Sequence, residues 1–92
     1  MIRLIDIVDE DITMGDRGCE NSCPIALALR NEYNTTNISV VMEDRPYIFV
    51  NDDELNMTSN IIDTVDNFIK KYDSGQDVEP FTLEIVEWYK IK

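Results

Sequence analysis

The chain has 92 residues, with 19 acidic and 8 basic side chains, no histidine and a formal charge of -11. That length holds one domain, residues 1–92, with one modest core. The charge argues against a nucleic-acid grip made by the chain's own basic surface and toward a basic partner.

Hydrophobic residues make up 43% of the sequence. This is ordinary globular usage, so the acidity is not that of a disordered chain. No apolar run approaches the roughly 20 residues a membrane helix needs. The start, Met1-Ile2-Arg3-Leu4-Ile5-Asp6, lacks the basic region and longer apolar stretch of a signal peptide. A soluble intracellular protein with no membrane contact is expected.

The elements read in order as follows. Ile2 to Val8 is rich in β-branched residues and predicts a strand. Both of its parities are partly apolar, which implies covered faces or a bulge. Asp9 is placed to cap a single helical turn through Ile12, ended by Gly15. Gly15 to Cys23 is a polar loop. Pro24 suits a first helical turn, so Cys23 or Ser22 is the expected N-cap of a helix over Ile25 to Tyr33. Its apolar start, Ile25-Ala26-Leu27-Ala28-Leu29, predicts burial on most sides.

Ile38 to Met42 and Tyr47 to Asn51 alternate and predict a hairpin around Glu43-Asp44-Arg45-Pro46. Asp52-Asp53-Glu54 is expected to leave the sheet as a solvated turn and helix start. Ile61, Val65, Phe68 and Tyr72 give the strongest helical spacing, over residues 58 to 73, with Thr58 or Ser59 as cap. Gly75 is placed to end that helix. Val78 to Ile91 reads as a last strand. The order β-α-β-β-α-β predicts an α+β fold of ferredoxin-like type, an antiparallel sheet with two helices on one face. The apolar Val86 and Trp88 face predicts a homodimer or higher oligomer.

The loop from Gly15 to Pro24 is the most unusual stretch. Glycines ahead of a helix can turn backbone N–H groups toward an anion, and Arg17 adds a charge. Gly15, Arg17, Gly18, Ser22 and Cys23 are therefore candidate ligand residues for a nucleotide signal. The spacing matches neither the P-loop nor the dinucleotide fingerprint. Cys19 and Cys23 are a candidate thiol pair one residue longer than C-x-x-C. Without histidine, a zinc site would need two more soft ligands, so neither a metal nor a cofactor is expected. No Ser-His or Cys-His nucleophile can be built either, and no catalytic residue is expected. Asp9 to Glu20 superficially follows calcium-loop spacing, but Met14 stands where that loop needs glycine.

The acidic side chains are the other candidate site. Asp9, Glu10, Asp11, Asp16 and Glu20 surround the first loop. Asp52, Asp53 and Glu54 form a second group, and Asp63 with Asp66 lies on the outer face of the long helix. Carboxylates spaced along one side of a compact domain can occupy a basic groove built for nucleic acid.

Three segments carry a resemblance. They are Cys23-Pro24-Ile25-Ala26-Leu27-Ala28-Leu29 behind a glycine-containing loop, Phe68-Ile69-Lys70-Lys71-Tyr72-Asp73-Ser74-Gly75, and Val78-Glu79-Pro80-Phe81. Together they resemble a set of small proteins common in bacteriophage genomes. The resemblance implies a phage-type accessory protein in the cytoplasm of a host bacterial cell, and it brings no catalytic residues. With the charge, it leads to an expected non-enzymatic inhibitor that binds a basic surface of a host defence or nucleic-acid-handling protein, in the manner of acidic anti-CRISPR proteins, without touching nucleic acid directly. A nucleotide-signal sponge at the Gly15–Cys23 loop is the first alternative. A thiol or metal protein using Cys19 and Cys23 is the second.

Overall fold

The computed structural model describes residues 2–19 and 21–86. Among these residues eight elements follow one another: β1 (Ile2–Ile7), α1 (Asp9–Met14), α2 (Pro24–Tyr33), β2 (Ile38–Met42), β3 (Pro46–Val50), β4 (Asp53–Met57), α3 (Ser59–Asp73) and β5 (Phe81–Val86). The strands form one antiparallel sheet in the order β1-β5-β4-β3-β2. The α+β class and the antiparallel sheet are as the sequence predicts. The element order is not the simple β-α-β-β-α-β: a fifth strand is added, and the helical turn expected after Asp9 is the short helix α1.

The added strand corrects the reading of Asp52-Asp53-Glu54. Asn51 and Asp52 both take positive φ, 51° and 71°, and make the two-residue turn that matches the twist of a hairpin. Asp53 then opens β4, pairing with Val50, and Leu55 pairs with Ile48. The acids sit on a strand because the turn before them fixes the chain direction, not because their own propensity favours it.

Pairing register sorts the side chains. Ile5, Leu83, Ile85, Met57, Ile48, Val50, Ile38 and Val40 share one face and are buried. The helices cover this face. α2 is buried along Pro24, Ile25, Ala26, Ala28 and Leu29, which follows from its apolar start. α3 buries Ile61, Val65, Phe68, Ile69 and Tyr72, the expected stripe. The Thr58 hydroxyl accepts a hydrogen bond from the Ile61 N–H at 3.3 Å, the predicted cap. α1 begins differently from expectation. Val8 is its N-cap and Asp9 its first residue, because the Val8 N–H bonds the Asp11 carboxylate three positions on, at 3.1 Å.

β1 and β2 lie at opposite edges of the sheet, yet α2 packs against both. α2 therefore spans the covered face from one edge to the other, as a twisted sheet wrapped on a helix allows. Among the described residues, β4 and β5 pair through Asn56 with Val86 and Met57 with Ile85.

Candidate functional site

The loop between α1 and α2 is fastened to the C-terminal end of α3. The Arg17 Nε donates to the Tyr72 carbonyl at 2.8 Å, and its guanidinium lies over the Tyr72 ring, 5.0 Å from the centroid. The Gly18 N–H donates to the Asp73 carboxylate at 2.9 Å. Gly18 has φ +70°, a conformation glycine takes without strain. Ser22 Oγ donates to Asp16 or Cys19, at 3.0 and 2.9 Å. The Asn21 side chain donates to the Ile38 carbonyl on the edge of β2 at 2.9 Å. Gly15 has no room for a side chain, since a Cβ there would stand 2.7 Å from Pro24 Cδ. The structure thus brings Gly15, Arg17, Gly18, Ser22 and Cys23 into one loop. The Arg17 charge and the Gly18 donor are already met by the chain's own Tyr72 and Asp73.

Below the loop is a cavity of about 200 Å³, bounded by Cys19, Cys23, Ile25, Met42, Phe68 and Tyr72, among others. Cys23 is buried and behaves as a core residue, its N–H closing a turn onto the Cys19 carbonyl at 3.1 Å. Burial pushes the Cys23 thiol above its ordinary value. Cys19 is half-buried, and the Ser22 hydroxyl, followed by the Asn21 backbone, pulls its thiol below the ordinary value by hydrogen bonding to the thiolate. The two thiols are therefore expected to differ in reactivity. Iodoacetamide should modify Cys19 first, and its rate should rise with pH and level off earlier than for a free thiol. Cys23 should react only at higher pH or on unfolding. Mass spectrometry of partly labelled protein checks this, and equal labelling of both would refute it. Among the described residues, no group of three or more His, Cys, Asp or Glu could hold a metal ion.

The acids fall in separate places. Asp9 and Glu10 are exposed on α1, while Asp11 is 8% exposed and held by Val8. Asp16 receives the Ser22 hydroxyl. Asp52 and Asp53 stand at the β3–β4 turn, and Glu54 pairs weakly with Arg45 at 3.4 Å. Asp63 is exposed on α3, and Asp66 pairs with Lys70 at 3.0 Å. β1 runs from Ile2, opposite Val86, toward α1, and Asp53 lies three residues before Asn56, which also faces Val86. The first-loop group and the Asp52–Glu54 group thus occupy opposite ends of the sheet and do not merge. Glu20 lies outside the described residues.

Val86 is half-buried on the face of the sheet away from the helices. It stands beside Ile2, which is 49% exposed, and near Leu4, which is 63% exposed. Trp88, expected to share that face, lies outside the described residues. Sequence reasoning missed Tyr72 and Asp73 as the anchors of the loop. They lie 55 positions from Arg17 and Gly18, and no local signal announces such a contact. No helix among the described residues is long and apolar enough to cross a membrane. Comparison of the chain with known protein families, curated proteins and solved structures finds no match.

Proposed function

We propose that this chain is a non-enzymatic acidic binding protein. Its target would be a basic surface on a bacterial defence or nucleic-acid-handling protein, and its action phage-type inhibition. One observation carries the reading: each of the four arginines is engaged by a group of the chain itself. Arg3 pairs with Glu32, Arg17 with the Tyr72 carbonyl, Arg30 with the Asn21 carbonyl and Arg45 with Glu54. Asp9, Glu10, Asp52, Asp53, Asp63 and Asp77 meanwhile face solvent with no ion pair among the described residues. The surplus of carboxylates without an ion partner leaves a negative field available to steer a cationic partner.

The test begins with capture of a partner from bacterial lysate at low and high salt, followed by kinetics on that purified partner. Replacing Asp52, Asp53 and Glu54 by Asn, Asn and Gln should slow association at low salt by about tenfold or more. Replacing Asp9 and Glu10 in the same way should act in the same direction. Full association and inhibition in both sets would overturn the reading. The nucleotide-signal sponge has weaker support, because Arg17 and the Gly18 N–H are both engaged within the chain.

A further inference from the structure

The two edges of the sheet are treated differently. On β2, the Asn21 side chain covers the Ile38 carbonyl. β1 pairs with β5 on one side only, and outside that ladder no hydrogen bond reaches the backbone of Leu4, Ile5 or Asp6 among the described residues. An edge strand turns alternate N–H and C=O groups outward, ready to pair with another chain.

Beside this edge runs a groove of about 340 Å³. It is lined on one side by Leu4, Ile5 and Asp6, on the other by Asn31 and Glu32 of α2, and closed by Glu10 of α1. No lysine or arginine lines it among the described residues. Asp11 also reaches it, but its carboxylate is held by the Val8 N–H, and Glu32 is shared with Arg3. Glu10 has no such partner, while the Asp6 side chain lies on the other face of the strand and accepts from the Thr82 hydroxyl. On the opposite face of the strand, Ile2 and Leu4 are exposed. The outward face thus carries Ile2 and Leu4 with Asp6 at its end, and the groove side carries Glu10 and the Arg3-paired Glu32.

We propose that the β1 edge takes an extended segment of a partner protein as an added strand, one whose apolar residues alternate with lysine or arginine. The period of a strand is two, so the segment's apolar side chains would lie beside Ile2 and Leu4. Its cationic ones would enter the groove toward Glu10 and Glu32. Backbone pairing supplies affinity and the alternation supplies specificity. A second copy of this chain fits worse, because it would bring the same acids against each other. The inference rests on the binding role proposed above and names the surface and the partner's local shape.

The test titrates the whole ¹⁵N-labelled chain with acetyl-Lys-Val-Lys-Val-Lys-Val-amide. Amide shifts are expected at Leu4, Ile5 and Asp6. A Glu-for-Lys peptide and a peptide N-methylated at alternate residues should not produce them. The double variant Glu10→Gln, Glu32→Gln should bind roughly three- to tenfold more weakly. Shifts confined to other strands, undiminished binding of the N-methylated peptide, or a β1-paired dimer of the chain alone would each overturn the proposal. If a captured partner depends on Asp52–Glu54 but ignores the Glu10/Glu32 variant, the edge proposal falls and the acidic-binding reading stands. If the peptide binds at β1 while no basic partner is ever captured, the edge stands and that reading falls.

Discussion

Tyr72→Ala is expected to lower the unfolding free energy by about 3–5 kcal/mol, the range for removing a buried aromatic side chain. Domains of this size have only about 5–15 kcal/mol in all, so the variant should be close to unfolding. Tyr72 is 4% exposed, and its ring lies parallel to Phe68 with centroids 6.0 Å apart. Its hydroxyl donates to the Gly15 carbonyl at 2.7 Å, with the Ile12 carbonyl at 3.1 Å sharing the same proton. Burial pushes the phenol above its ordinary value, against a smaller opposite pull from Arg17, so it remains a donor through neutral pH. Tyr72→Phe keeps the packing and removes the single proton that the two carbonyls share. That variant should lose about 1–3 kcal/mol. Urea denaturation of both variants separates the two contributions. If Phe and Ala were equally damaging, the hydroxyl rather than the ring would hold the loop. If Phe were neutral, the hydrogen bonds would contribute nothing.

The fold was readable where a segment carries its own periodicity or punctuation. α3 shows its buried stripe and its Thr58 cap in sequence, and Pro24 marks the start of α2 within one residue. β4 was hidden because Asp53, Glu54 and Asn56 outweigh Leu55 and Met57. Its strand state depends on pairing with β3, which the Asn51–Asp52 turn directs. The candidate site was readable as chemistry but not as place. The surplus of acid is plain from composition. Which acids end up together depends on strand order, and β1 at an edge could not be read from residues 2–7. Arg17 illustrates the same limit from the other side. A glycine-flanked arginine ahead of a helix suggests an anion site, yet the contact that claims it comes from the far end of the chain.

The same dependence on register sets the second large effect. Leu83→Ala is expected to cost about 2–5 kcal/mol, whereas Leu4→Ala, on the strand paired beside it, should stay within about 0.5 kcal/mol. Leu83 is 0% exposed on β5 and faces Ile5; Leu4 is 63% exposed and pairs with Glu84. The two leucines belong to opposite faces because side chains alternate along a strand. Removing Leu83 leaves a void under the helices in the strand that joins β1 to the rest of the sheet. Removing Leu4 uncovers nothing, since water already reaches it. Urea denaturation with unchanged slope gives both values on one scale. A Leu4→Ala loss as large as that of Leu83→Ala would mean that β1 is shifted by one residue, which would turn Leu4 inward and Ile5 outward. A small Leu4→Ala loss together with weaker binding of the Lys-Val peptide would place the role of Leu4 in recognition, on a strand whose stability comes from its other face.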